Sequence, residues 1–320
     1  MERKLFYGFI RNNYRVQEFS DRDIARFESI LQTRALGRGR ANRRLVEVCD
    51  NFRPELLVLG HADIIRNETL EEIRKLIPNL KIAYRNCDPP FIATNRATVS
   101  YRSEVVDAIF LTGGGEWLTA FARPGLLIAF VPTPTDPAVE FMENFDDTEF
   151  DFDLVFCGVA NATDPRVALV RELKEDLADL RFEVFGMQGR PPVWGRHYEE
   201  VLRASKMGLN LNRREGDYLY SSGRISQLMG NGLLTFVHEG NGLDRFFSDE
   251  HVVFFSDRES LVKQVRHFQQ DDGHRRAVAR AGWEFYHRHF SGSEVARFIV
   301  EATFGKAFTK DYIWRDLVVG

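Results

Sequence analysis

Residues 210–235 read NLNRREGDYLYSSGRISQLMGNGLLT, and this stretch decides the fold. The apolar run Met207–Leu211 predicts a strand that gives way to a polar loop carrying Arg213 and Arg214. A short helix then starts near Arg224, closes at the Gly230-Asn231-Gly232 turn and leads into a second strand, Leu233–Val237. Strand, loop, helix, strand is the repeating unit of a mostly parallel α/β sheet, whose ligands bind beyond the carboxyl ends of the strands. Loop N–H groups, the hydroxyls of Tyr220 and Ser222, and the guanidinium groups of Arg213, Arg214 and Arg224 converge on one point there. Such a donor set suits a diphosphate. The plain alternative is an ordinary loop with solvated arginines.

Working outward, the same grammar fills the second half of the chain. Strand Leu154–Phe156, Gly158, a loop and a helix from Pro165 to Leu180 lead to strand Phe182–Phe185. Helix Tyr198–Ser205 precedes the central stretch, and strand Val252–Phe255 and helix Ser260–Phe268 follow it. Helices at 275–288 and 293–303 come last. In the first half, Leu5–Ile10 reads as a strand, and Asp21–Leu31 has helical spacing at Ile24, Phe27, Ile30 and Leu31, with Ser20 as cap. Strand Glu55–Gly60, helix Thr69–Ile77 stopped by Pro78, and strands Lys81–Tyr84, Val105–Leu111 and Leu126–Val131 complete it.

Between residues 132 and 153 three prolines give way to an acidic run, the mark of a linker. The fold class expected is therefore α/β, with two Rossmann-like lobes. They are an N-terminal domain at 1–139, a linker at 140–153 and a C-terminal domain at 154–305. Residues 306–320 form a tail that packs back on the first lobe. A length of 320 residues suits two cores better than one.

Composition narrows the partner. A formal charge of −4 argues against nucleic acid, which calls for a basic excess. Three cysteines, Cys49, Cys87 and Cys157, show no CxxC pairing, so a reducing, cytoplasmic setting is expected. The N-terminal apolar segment is too brief for a signal peptide, and the longest apolar run, Leu126–Val131, is far below the ~18 residues of a membrane span. The basic stretch Arg34, Arg38, Arg40, Arg43, Arg44 reads as a solvated face or as a peripheral contact with an anionic surface at the inner membrane.

At Arg224, Gln227, Gly232 and Leu233-Leu234-Thr235 the chain resembles the glycosyltransferase group 1 family, in the branch that includes the CgeB-like spore-maturation proteins. Gly242–Phe247, Asp257–Leu261 and Ala281–Tyr286 extend the likeness, as do Pro54–His61, Glu68–Arg74 and Asn86–Pro90 in the first half. The resemblance implies a GT-B architecture, with the nucleotide-sugar donor on the C-terminal lobe and the acceptor on the N-terminal one. Many relatives carry a glutamate at the place of Gln227 and another eight residues earlier, where Leu219 stands here. A glutamine still accepts from a ribose hydroxyl but carries no charge.

The expected activity is transfer of a sugar from a nucleotide sugar to a hydroxyl of a glycan, lipid-linked or protein acceptor, with no metal and no cofactor. A vestigial, non-catalytic binding protein is the alternative. Donor-side candidates are Gly158, Arg213, Arg214, Tyr220, Ser222, Arg224 and Gln227. Gly158 either admits a phosphate to the backbone or serves a turn. Arg166 points to phosphate or to solvent. Asp88, held between a strand and Pro89-Pro90, and His61 are the candidate acceptor bases; each has a purely structural reading as well. Gly114, in Gly113-Gly114-Gly115, is the acceptor-side glycine. No lysine and Ser/Thr follow to make a P-loop. Asp151-Phe152-Asp153 is formally a DxD metal signature, which alternation along a strand would set on one face.

Overall fold

The computed structural model describes residues 2–29 and 31–320, and it divides into two compact units. One contains residues 2–132 together with 292–320, the other residues 133–291. The sequence reading cut the chain at 140–153 and kept 154–305 in one lobe. In the structure the C-terminal helix lies with the first unit, and the acidic stretch after Pro132 lies with the second.

In chain order the first unit runs α1 (Glu2–Arg11), α2 (Asp21–Phe27), α3 (Arg34–Phe52), β1 (Leu56–Leu59), α4 (Asn67–Leu76), β2 (Lys81–Asn86), α5 (Ala93–Ser103), β3 (Ala108–Leu111), α6 (Glu116–Thr119) and β4 (Leu127–Phe130). The second unit follows with β5 (Phe152–Cys157), α7 (Pro165–Asp176), β6 (Phe182–Phe185), α8 (Arg196–Arg203), β7 (Ser205–Asn210), α9 (Arg224–Gly230), β8 (Leu234–His238), β9 (Val253–Phe255), α10 (Arg258–Gln270) and α11 (Asp272–His289). The chain then returns to the first unit as α12 (Gly292–Thr303) and β10 (Val318–Val319).

The first sheet has the order β1-β2-β3-β4-β10, parallel except for β10, which pairs antiparallel with β4. The segment expected to be its first strand is instead α1. Lys4, Leu5, Gly8 and Phe9 are buried, a spacing of one and four that belongs to a helical face. That face meets α12 through two glycines: a Cβ on Gly8 would lie 2.0 Å from the Gly292 carbonyl oxygen. The Asn12 side-chain amide seals the crossing by donating to Gly8 O and Ser293 O at 2.9 and 2.7 Å.

Helix α2 ends before Leu31, and Phe27 and Leu31 are exposed, so their helical spacing marks no core. Ile30 lies outside the described residues. Ser20 holds the N-cap position of α2, but its hydroxyl donates to the Asp23 carboxylate instead of accepting from the helix. Helix α5, rich in Thr, Arg and Ser, has no counterpart in the sequence reading. The tail docks through aromatic rings, with Phe298 of α12 against Phe308, Tyr312 and Trp314 at 5.1, 5.2 and 5.6 Å between centroids.

The second sheet is wholly parallel, ordered β6-β5-β7-β8-β9. Alternation along β5 feeds two cores. Leu154 and Phe156 pack with Val170 and Leu173 of α7, Leu261 and Val265 of α10 and Val278 of α11. Val155 faces the other way, toward Val201 and Leu202 of α8 and Leu228 of α9. The acidic stretch is a strap on this unit. Asn144, fully buried, donates from its side chain to Leu202 O and Ser205 O and from its backbone to Asn231 O. Asp151 precedes the strand and is exposed, whereas Asp153 is buried and accepts from Arg181 and Gln269. The DxD pattern is thus a packing feature, with one carboxylate committed to a guanidinium.

Candidate functional site

In the second unit the strand order reverses at β5 and β7, because the chain leaves β5 for β6 on one side and returns to β7 on the other. Diverging connections leave a crevice at the carboxyl ends of that strand pair. Arg224 spans the two ends. Its Nε donates to Cys157 O, the last residue of β5, at 2.7 Å, and its Nη1 to Leu211 O, just past β7, at 3.0 Å. The guanidinium also lies 4.6 Å over the Phe156 ring and donates to Ser222 Oγ at 3.2 Å. Nη2 makes no hydrogen bond among the described residues. Burial lowers the Arg224 pKa, with no consequence for its charge at neutral pH.

Gly158 follows β5 against this arginine. A Cβ there would come within 2.8 Å of Phe156 Cζ and 2.9 Å of Arg224 Nη2, so the glycine is what lets the guanidinium lie across the strand end. Gly186, with φ +90°, abuts Gly158 in turn from the end of β6.

The loop between β7 and α9 is held by asparagines that the sequence reading did not single out. Asn210 donates to Ser221 Oγ and accepts from Ser222 Oγ. Asn212 accepts from Ser222 N and donates to Tyr220 O. Glu215 accepts from Asn212 N and from the Asn241 side chain. Their signal was their place at the end of a strand; which bonds they make depends on a loop return that spacing does not encode.

The other donor-side candidates separate. Arg213 is exposed and forms no hydrogen bond or ion pair among the described residues, while Arg214 is paired with Asp217. Tyr220 is buried, and the Ser222 hydroxyl is shared between Asn210 and Arg224. Gln227 Oε1 accepts from Tyr198 OH at 3.1 Å, and Leu219 is buried with φ +60°. Arg166 is not solvated: it folds onto Asp164, the cap of its own helix, both side chains are buried, and its charge acts on Arg224. The bond from Arg166, with Arg213 acting at longer range, holds the Asp164 carboxyl below the usual carboxylate range.

In the first unit His61, Asp88 and Gly114 follow the carboxyl ends of β1, β2 and β3, three adjacent parallel strands. His61 and Asp88, read from the sequence as separate candidates, are in contact: Nδ1 lies 3.3 Å from Asp88 Oδ2. On the other edge of the ring, Nε2 lies 3.8 Å from Cys87 Sγ. Bonding to Asp88 and then to Cys87 raises the His61 pKa to about 10, well above the neutral value that made it a base candidate. At neutral pH it is a cation. The pair borders a pocket of about 150 Å³ lined also by Arg22, Asp63, Tyr84, Asn86, Asn95 and Thr98. Asn86 fixes Asp88 by accepting from its backbone N–H at 2.8 Å, and Asn95 donates to Pro89 O. Gly114 is buried in the turn before α6 and does not line the pocket.

Elsewhere in the second unit, His267, Asp271 and His274 bring three metal-capable side chains together, all exposed, at the junction of α10 and α11. No helix among the described residues is long and apolar enough to cross a membrane.

Residues 166–301 match the model of a family described as glycosyl transferase-like. No curated protein matches the sequence. Among solved structures, sucrose-phosphate synthase from Thermosynechococcus elongatus superposes with a TM-score of 0.54 at 12% identity, covering 83% of this chain and 78% of that one. The Anabaena protein HepE, solved in complex with UDP and glucose, superposes with a TM-score of 0.53 at 12% identity over 83% and 82% of the two chains. The OtsA apo structure gives a TM-score of 0.54 at 11% identity over 89% and 82%. The fold is the two-sheet α/β arrangement of GT-B glycosyltransferases, as the resemblance implied. These matches do not reach the spore-maturation branch.

Proposed function

We propose that this protein transfers a sugar from a nucleoside-diphosphate sugar to an acceptor hydroxyl, with the donor on the second unit and the acceptor on the first. The observation that carries the proposal is Arg224, laid across the switch point of the second sheet with one amino group unspent. Arg213, exposed and without an ion-pair partner among the described residues, supplies a second positive charge on the loop that leads into α9. Two guanidinium groups neutralise charge as a diphosphate departs, which supports a reaction that needs no metal. HepE is described with UDP and with UDP-glucose bound, which supports a uridine nucleotide as the first donor to test.

On the acceptor side Asp88 is the base in this reading, and His61 is its positioning cation. A histidine with a pKa of about 10 keeps its own proton at pH 7. Gln227 and Tyr198 would then meet the ribose or sugar through neutral hydrogen bonds. A second reading, a nucleotide-sugar binding protein without turnover, is favoured by Leu219 and Gln227 standing where relatives carry acids.

One experiment addresses both. The full chain is heated with UDP, GDP, CMP, dTDP and their sugars, since a ligand of the folded state raises its Tm. At least one is expected to do so, with the response lost in Arg224→Ala. No response to any of them overturns the donor site; a response without release of nucleoside diphosphate, with any acceptor offered, leaves the binding protein.

A further inference from the structure

We infer that Cys87 is a nucleophilic thiol, activated by His61 and Asp88, and that it is a modification site for small disulfides and soft carbon electrophiles. The geometry is a chain of contacts in which the imidazole stands between sulfur and carboxylate. Cys87 Sγ faces Nε2 at 3.8 Å, and the opposite nitrogen, Nδ1, faces Asp88 Oδ2 at 3.3 Å. Held by the carboxylate, the imidazole stands at the sulfur as a fixed positive charge. A cation beside the sulfur favours its attack.

The other two cysteines lack this setting. Cys49 is inside α3, and burial pushes its thiol up to about 11. Cys157 closes β5, and burial pushes its thiol up to about 12. Cys87, like Cys157, is partly covered; what sets it apart is the imidazole at its sulfur. Its reaction with a disulfide forms one Cys87 S–S bond and breaks the disulfide's own; the Cys87 proton leaves to solvent, and the departing thiolate takes one up from solvent. No further oxidant is needed.

The consequence is regulatory and rests on the acceptor reading above. An adduct on Sγ crowds the His61 ring, whose other edge holds Asp88 at the pocket. Modification therefore separates His61 from Asp88 and silences the acceptor side while the donor side still binds nucleotide.

The test exposes the folded full chain to iodoacetamide or oxidised glutathione in buffer containing EDTA, with peptide mass mapping at timed intervals. Cys87 is expected to react first, with Cys49 and Cys157 silent until urea is added. His61→Ala and Asp88→Asn should each slow the Cys87 reaction on the order of tenfold, with thermal unfolding confirming that both variants fold. Labelling of Cys87 at the rate of an unstructured peptide of the same sequence, or no slowing in His61→Ala, overturns the inference. For regulation, the glutathione adduct should keep its nucleotide-induced rise in Tm and lose transfer, with Cys87→Ser transferring before and after treatment. Transfer undiminished by the adduct overturns the regulatory step. Absence of transfer in the untreated protein refutes the proposed function, and the labelling result stands apart from it.

Discussion

At the scale of single residues, Gly158 and Arg224 explain each other. A methyl group on Gly158 meets the side-chain ends of Phe156 and Arg224, and Phe156 is fully buried. The guanidinium is the neighbour free to yield, and yielding breaks its bonds to Cys157 O and Leu211 O. Gly158→Ala should therefore lower stability by about 1–3 kcal/mol and diminish the nucleotide-induced rise in Tm, both readable in one thermal-shift series. His61 gives a pH prediction. Its folded pKa lies above the unfolded value, so the stability it contributes is complete below about 6.5 and is lost as pH rises through about 10. Both side chains of the His61–Asp88 pair are 44% exposed, so solvent screening keeps the contribution small. The gap in urea midpoint between the protein and Asp88→Asn should narrow as pH is raised over that window; a gap that widens refutes the pairing. The sequence made Arg224, Gly158, His61 and Asp88 visible, since strand ends can be found by pattern. It hid the contact between His61 and Asp88, which depends on β1 and β2 lying side by side, and it hid Cys87, which no spacing linked to His61.

At the scale of elements, the strands were legible because buried parallel strands are short, unbroken apolar runs. Segment Leu5–Ile10 has the same look and is a helix, since an apolar run this short fits either period. Its partner decides the matter: Gly8 faces Gly292 across α1 and α12, 284 residues away in sequence. Gly8→Ala would set a Cβ 2.0 Å from the Gly292 carbonyl, a backbone atom that cannot turn aside. A loss near the upper end of the ~1–3 kcal/mol range for overpacking is expected. Gly39, inside α3, makes the opposite case. A Cβ there meets nothing within 4 Å, and its backbone is helical. Gly39→Ala should raise stability by about 0.5–1 kcal/mol through helix propensity. Chemical denaturation of the two variants checks both signs, and a common sign for the two would contradict the packing described.

At the scale of the whole molecule, the first unit is discontinuous in sequence and the second is continuous. Residues 133–291 hold a complete parallel sheet, cores on both of its faces and the strap anchored by Asn144, all without α12 or β10. Residues 2–132 alone lack α12, whose Phe298 packs on Phe110 of β3, and lack β10 on the edge of β4. Division at a composition shift misses this, because a chain that leaves a unit and returns writes no linker at its return: only Phe290 and Ser291 separate α11 from α12 where the chain passes between units. A fragment of residues 133–291 should fold with a single cooperative urea transition and keep the uridine nucleotide response of the full chain. A fragment of residues 1–132 should show no cooperative transition until a second chain carrying 292–320 is supplied. Cooperative folding of 1–132 alone would mean that α12 and β10 are accessories to the first sheet. Failure of 133–291 to respond to a nucleotide that the full chain binds would move part of the donor site out of the second unit and away from Arg224.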